Sequence, residues 1–565
     1  MRVRSLLVST TDARRLRTDW LVPSNRLTDR LHRLSPDVLG ALARGIEKES
    51  LRARPDGALA DTPHPRGLGS ALTHPHITTD FSEAQLELIT GVHADARSCL
   101  AELTAIHQAV HRQIGNEILW AASMPCGLPP DDAIPLARYG TSNVGRAKTV
   151  YRQGLSHRYG RRMQTISGIH YNFSVPQAAW PILQQLDGDD GSQQDYRTAA
   201  YFSLIRNFRR RSWLLLYLFG ASPAACSTFL AGHPHALQSL EGGTLHLPHA
   251  TSLRMGPLGY QSDVQSSLAV SFNCLDSYAK SLSRALAEPY PPYERIGIHD
   301  GNGLYRQLAT TLLQIENEFY GTIRPKRTIR PGERPLRALA ERGVEYVEVR
   351  CLDLDPFVPI GIEAATLDFL DVFLLHCLLD ESPPDTPEEI AAMSRNQHRV
   401  AQHGREPGLQ LQRGDAQIGL ADWGREVLRD CAPIAAALDA AASAATDSAR
   451  PAGSGAAAPV TCHRDALAAA ATLLEDPTLT PSARSLRDMA RHFDNSFSGF
   501  ALAKSREHHR TLLALPLDDD TQARFARMAR ESLAEQQRIE AADDMPFETY
   551  RQRYLTGELA QGDGR

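Results

Sequence analysis

Hydrophobic and polar residues alternate with a period of two in several short stretches of the first 360 residues, then recur with a period near 3.6 to the end. The first alternating stretch, Gly45-Ile-Glu-Lys-Glu-Ser-Leu51, reads as a strand with Glu47 and Glu49 on one face. The second half of His76 to Thr90 alternates as well, with Asp80 and Glu87 at its two ends. Met163 to Val175 puts Ile169, Tyr171, Phe173 and Val175 on one face and His170, Asn172 and Ser174 on the other, as a strand between a core and a polar cavity requires. Leu312 to Tyr320 predicts a further strand, with Glu316, Glu318 and Tyr320 on one face, and the basic run Ile323 to Thr328 follows it as a loop. Gly343 to Asp353 predicts another, with Tyr346, Glu348 and Arg350 opposite Val347, Val349 and Cys351.

Helical spacing marks 36–44 (after the Ser35-Pro36 start signal), 92–118, 195–232 (turning through Gly220-Ala-Ser-Pro223) and 266–288. After 361 it marks 362–381, 386–403, 419–446, 463–475, 481–493, 497–514 and 520–541. The predicted organisation is an Arg-rich, poorly ordered extension over 1–35, a catalytic α+β domain over 36–360, and a mainly helical part over 361–565. The Ala/Gly/Ser/Pro stretch near 446–460 reads as a flexible loop inside the last.

The 565 residues are too many for one ordinary core. A net charge of −5 gives no electrostatic reason to expect nucleic acid or an anionic membrane. The eight cysteines form no Cys-x-x-Cys pair and no zinc spacing with His, which suits a reducing compartment. Leu6-Leu7-Val8 is too short for the apolar part of a signal peptide, and Trp213 to Phe219 is too short to span a membrane. A cytoplasmic protein is expected.

The Gly140 and Gly145 spacing suggests a phosphate-binding P-loop, but Lys148-Thr149 comes two residues late and no β-run precedes it. Any nucleotide is held in another way. An isolated Glu-x-Glu is ordinarily a solvated strand edge. Here Glu47 and Glu49 stand with Asp80, Glu87, Glu348 and one imidazole, His170, plus Arg254 and Arg350. Two carboxylates about 7 Å apart repel by roughly 2 kcal/mol at an effective dielectric near 20, so a partly buried set calls for cations. Hard oxygen ligands suit Mg²⁺, with Mn²⁺ as a substitute, rather than zinc. Several such ions bracketed by arginines suit phosphoryl transfer. The basic run containing Lys326 reads either as a surface loop or as a contact to ATP phosphates. The residues by themselves lead to a Mg²⁺-dependent, ATP-using enzyme built on an antiparallel sheet.

Gly45-Ile-Glu-Lys-Glu, Ile77-Thr-Thr-Asp-Phe, Tyr139 to Ser174, Phe219-Gly-Ala-Ser-Pro, Ala250-Thr-Ser-Leu-Arg, Leu313-Gln-Ile-Glu-Asn-Glu, Ile323-Arg-Pro-Lys-Arg and Glu345-Tyr-Val-Glu-Val-Arg occur in this order. Together they resemble the glutamate–cysteine ligase family of the γ-proteobacterial type, more closely over 40–361 than in the tail. The resemblance implies a glutamine-synthetase-like antiparallel sheet forming a funnel-shaped active site. It implies ATP-dependent joining of L-cysteine to the γ-carboxylate of L-glutamate through a γ-glutamyl phosphate, the first step of glutathione synthesis. By that resemblance Glu47, Glu49, Asp80, Glu87, His170 and Glu348 are Mg²⁺ ligands, and Arg350 neutralises the transferring phosphate. Arg254 then meets the glutamate α-carboxylate. Tyr151, Leu155, Tyr260 and Tyr320 wall a cysteine pocket, and Gln164 orients a substrate. Asp80 is a candidate acceptor of the amine proton. A monomer, with glutathione as feedback inhibitor, is the corresponding expectation. The competing readings are a ligase of the same fold using another amine and a non-catalytic metal-binding regulatory protein.

Overall fold

The computed structural model describes residues 25–230, 234–259, 268, 270–448 and 459–559. Residues 1–24, Tyr260 and most of the stretch expected as a loop near 446–460 lie outside the described residues.

Twelve strands occur among them. The main sheet contains β1 (Ala43–Ala53), β2 (Ile77–Thr79), β3 (Gln85–Ile89), β4 (Ile118–Leu119) and β5 (Ile169–Ser174). A small sheet is made of β6 (Ala224–Cys226), β7 (Gln238–Leu240) and β8 (Thr244–His246). The main sheet is completed by β9 (Ile323–Lys326) and β10 (Tyr346–Leu352), and β11 (Gln410–Arg413) with β12 (Ala416–Gly419) forms a hairpin. The order in the main sheet is β2-β3-β1-β5-β10-β9, antiparallel throughout, with β4 paired to the far end of β1.

The register fixes which side chains share a face. Glu49 lies opposite Glu87, Glu47 opposite His170, and Glu348 opposite both Asn172 and Arg324. These residues form one polar face. On the other face Ile46, Leu86, Leu88, Ile169, Tyr171, Phe173, Val347 and Val349 are all buried. Against that face packs the helix Ala364–Leu379, whose AATLDFLDVFLLHCLL sequence is apolar all round, as a helix enclosed on every side must be. The pairs that tie helix to sheet are polar: Arg44 meets Asp371 at 2.9 Å, and Tyr171 Oη donates to Asp371 Oδ1 at 2.6 Å.

Two expectations are corrected, and two further observations bear on how the chain is organised. The stretch 312–320 is not a strand: Glu316–Glu318 is a single 3-10 turn, and the two carboxylates go to different arginines, Glu316 to Arg334 at 2.8 Å and Glu318 to Arg158 at 2.9 Å. The basic run after it is not a loop but the edge strand β9, where Pro325 is tolerated because an edge needs fewer backbone donors. The described part of 1–35 includes a helix, Asn25–Arg33, anchored by buried Leu27, Leu31 and Leu34 at helical spacing. The apolar core is continuous across residue 360, since Ala364–Leu379 contributes to the same cluster as β1, β5 and β10. The helices expected after 361 are otherwise present, interrupted by the unanticipated β11–β12 hairpin.

Candidate active site

Three adjacent strands bring one ligand atom each of Glu47, His170 and Glu348 within 4.8 Å of one another. Glu49 Oε1 lies 3.7 Å from His170 Nε2. Glu87 faces Glu49 across β3 and β1, and the Asp80 carboxylate, just past the end of β2, is close enough to raise the pKa of both. The six predicted metal ligands therefore converge on one face of the sheet, although they come from residues 47 to 348.

The electrostatics are uneven. Burial pushes Glu49 up to about 8, helped by Asp80 and opposed by Arg254 and Arg350. Burial and then Glu47, Asp80 and Glu49 raise Glu87 well above the usual carboxylate range. Glu348 goes the other way: burial would raise it, but Lys326 and Arg350 outweigh burial and hold it ionised. Lys326 Nζ donates to its Oε1 and Arg350 Nη1 to its Oε2, both at 3.0 Å. Burial and Arg350 lower the His170 pKa and keep the imidazole neutral, the form that binds metals. His170 Nε2 is buried with no hydrogen-bond partner among the described residues. An orphaned imidazole nitrogen amid crowded carboxylates is what a divalent-cation site requires, and the donor set suits a hard ion.

Backbone details aim these groups. The register between β5 and β10 shifts by one residue between Val349 and Leu352, a bulge that lies beside Arg350. Gly168 N donates to Glu49 Oε2 at 2.7 Å. Asn172 Nδ2 donates to Glu47 Oε1 at 2.9 Å. Sequence reasoning placed Asn172 on the polar face without giving it a role; its alternation with His170 was the available signal.

Next to the metal-competent face opens a cavity of 710 Å³ lined by Arg254, Met255, Phe272, Tyr320, Arg350 and Arg209 among others. Arg254 is 1% exposed and stands in a 3-10 turn, Leu253–Met255, capped by Ser252 Oγ. Its Nη2 donates to Arg350 O at 2.9 Å, and its Nη1 lies 3.6 Å from Asp353 Oδ1. Asp353 is fixed in turn by Ala221 N and Ser252 Oγ. No sequence pattern pointed to Asp353. Gln164 Nε2 donates to Tyr320 Oη at 3.0 Å, and the Tyr320 ring meets Tyr159 edge-on at 5.8 Å. Tyr151 and Leu155 stand one turn apart on the helix Asn143–Tyr159, where the sequence had suggested and then excluded a P-loop. Tyr151 is close enough to Tyr320 for its phenol pKa to be raised by it, after burial and Glu318. Leu155 is buried. Gln164, Tyr320 and Tyr151 are thus neighbours, whereas Glu316 and Glu318 are committed to ion pairs away from the metal-competent cluster.

A family model described as glutamate-cysteine ligase matches residues 30–400. Glutamate–cysteine ligase of Pseudomonas aeruginosa (strain LESB58) is 50% identical over 513 residues, covering 91% of this chain and 94% of that protein. The Alcanivorax borkumensis enzyme of the same name is 47% identical over 532 residues, covering 93% and 98%. The crystal structure of glutamate–cysteine ligase from Francisella tularensis in complex with AMP superposes with a TM-score of 0.83 at 36% identity, covering 92% of this chain and 98% of that one. A bifunctional glutathione synthetase from Pasteurella multocida gives 0.69 at 26% identity, covering 89% of this chain and 58% of that one.

Proposed function

The chain belongs to the glutamate–cysteine ligase family, and from that premise we propose that it joins L-cysteine to the γ-carboxylate of L-glutamate with cleavage of ATP to ADP and phosphate, the first step of glutathione synthesis. The observation that carries the site assignment is the convergence of Glu47, His170 and Glu348 from three strands beside Arg350 and Lys326.

Glu47, Glu49, Asp80, Glu87, His170 and Glu348 would hold Mg²⁺, which when bound supplies charge neutralisation to the ATP phosphates and the reacting carboxylate. Arg350 and Lys326, now both on Glu348, are placed to turn towards phosphate oxygens. Arg254, immobilised against Asp353 and the Arg350 carbonyl, fits the glutamate α-carboxylate in the cavity. Tyr320, Gln164 and Tyr151 fit the cysteine side, with Leu155 as an apolar wall, and Tyr260 completes the assignment from outside the described residues. The γ-carboxylate attacks the terminal phosphorus of ATP, the β,γ-phosphoanhydride bond breaks and ADP leaves, giving an acyl phosphate. The cysteine amine displaces the phosphate, its proton passing to a nearby carboxylate, for which Asp80 is one candidate. The eight cysteines form no disulfide in the structure, which supports a cytoplasmic location. No described helix is long and apolar enough to cross a membrane. Glutathione carries the moieties of both substrates, which supports its acting as an inhibitor in the same funnel.

The test is the mass of the product formed from glutamate, cysteine and Mg-ATP, with cysteine compared against other amines. A γ-glutamyl adduct formed much faster with another amine would transfer the assignment to a different ligase. Glu348→Gln should lower kcat by at least about 100-fold with an unchanged fold; full activity would remove Glu348 from the site.

A further inference from the structure

On the opposite side of the sheet from the candidate active site, three helices meet at a cluster of mixed donors. Asp368 comes from Ala364–Leu379, Asp439 from Leu420–Ser448, and Cys462 and His463 open Cys462–Glu475. One ligand atom each of Asp368, Cys462 and His463 lies within 4.8 Å of the others. Cys462 Sγ is 3.4 Å from His463 Nδ1, which is 3.0 Å from Asp439 Oδ1.

Part of this arrangement has an ordinary explanation. Asp439 accepts from the backbone N–H groups of His463 and Arg464 and from Arg464 Nε, so it caps the start of the last helix. Asp371, one turn beyond Asp368, is matched by Arg44 and Tyr171. Neither pairing accounts for Asp368. The residue is 8% exposed, and its carboxylate makes no hydrogen bond or ion pair among the described residues. Asp371 repels it while His463, Arg44 and Arg97 attract it from beyond ion-pair distance, and a buried carboxylate held only at that range is stabilised by a cation that joins it directly.

We propose that Asp368, Cys462 and His463, with Asp439 beside the imidazole, form a binding site for a zinc-class divalent cation distinct from the Mg²⁺ site. The donor chemistry selects the ion. A thiolate with an imidazole and a carboxylate suits Zn²⁺ or Co²⁺, and sulfur disfavours Mg²⁺ and Ca²⁺. A carboxylate next to a ligating imidazole is the usual supporting arrangement around such ions. Binding displaces the Cys462 thiol proton to solvent and forms a metal–sulfur bond, with no change of oxidation state. The ion would tie Ala364–Leu379 directly to Cys462–Glu475, with Asp439 of Leu420–Ser448 supporting the imidazole from the third helix.

Chelator-stripped full-length protein titrated with Co²⁺ in excess Mg²⁺ provides the test. A near-ultraviolet sulfur-to-cobalt band should grow to one equivalent and be displaced by Zn²⁺. The carboxylate and imidazole donors of the Mg²⁺ site cannot produce that band. Cys462→Ser should abolish it while leaving ligase activity intact, and Cys274→Ser, which removes the exposed thiol, should leave it unchanged. Asp368→Asn keeps the thiol and should weaken Co²⁺ binding by about tenfold or more. No band in the wild type, a band retained in Cys462→Ser, or unchanged affinity in Asp368→Asn would each overturn the proposal.

Discussion

Replacing Gly168 by alanine tests how the candidate active site is held together. The backbone there is open to any L-residue, so the substitution acts through space rather than strain. A Cβ at this position would lie 1.9 Å from Arg254 Nη2, 2.4 Å from Cζ and 2.8 Å from Nε. Ordinary contact requires the guanidinium to retreat by about 1.5 Å. Such a retreat breaks the 2.9 Å bond to the Arg350 carbonyl and opens the 3.6 Å approach to Asp353. A displacement of about 1 Å in a positioning group costs on the order of 100-fold, which is about 2.7 kcal/mol of transition-state stabilisation. The loss should fall on kcat/KM for glutamate and leave the KM for ATP nearly unchanged. Steady-state phosphate release at varied glutamate measures it, and a thermal melt checks the fold. The decisive comparison is the double variant: with Arg254→Ala already present, Gly168→Ala should cost little more, because its effect runs through that side chain. Unchanged glutamate kinetics in Gly168→Ala, or full additivity with Arg254→Ala, would refute the reasoning.

Arg350→Lys should lower kcat by about 100-fold or more, since one ammonium cannot both hold Glu348 and take the phosphate contact proposed for the planar fork; an unaltered rate would remove Arg350 from the phosphate role. Asn172→Ala frees one Glu47 oxygen and should raise the Mg²⁺ concentration for half-maximal activity by about tenfold with little change in Tm, which an activity titration against Mg²⁺ reads directly. His376 is fully buried with neither ring nitrogen hydrogen-bonded among the described residues, and burial, with Arg211, depresses its pKa to about 3. With a folded value below the unfolded 6.5, its contribution to stability is complete above pH 6.5 and declines as pH falls towards 3, by about 2 kcal/mol at pH 5. His376→Leu should therefore narrow the gap between urea midpoints at pH 7.5 and pH 5, and an unchanged gap would count against a buried neutral imidazole.

Much of the polar face of the sheet was legible in the sequence because β1, β3, β5 and β10 separate water-like from oil-like side chains, and alternation records that difference directly. Glu47, Glu49, His170 and Glu348 were found this way. The same pattern misled at 312–320, where Glu316 and Glu318 are two apart yet answer to Arg334 and Arg158, partners that periodicity cannot see. The strand β9 was hidden by Pro325 and by its charges, which are acceptable only because it lies at an edge. Asp353, which steadies Arg254, ends the alternating run and meets Arg254 only through the folded chain. The helix Asn25–Arg33 was obscured by its arginines, although its leucines carry the spacing.

The strand order has a consequence for how the molecule is made. β1 pairs with β5 across more than a hundred residues and β5 with β10 across nearly two hundred, so Glu47, His170 and Glu348 meet only once those distant segments have closed on one another. A nascent or half-collapsed chain therefore has no catalytic pocket with which to squander nucleotide. Competence arrives together with the finished architecture, and quality control of the fold is also quality control of the chemistry.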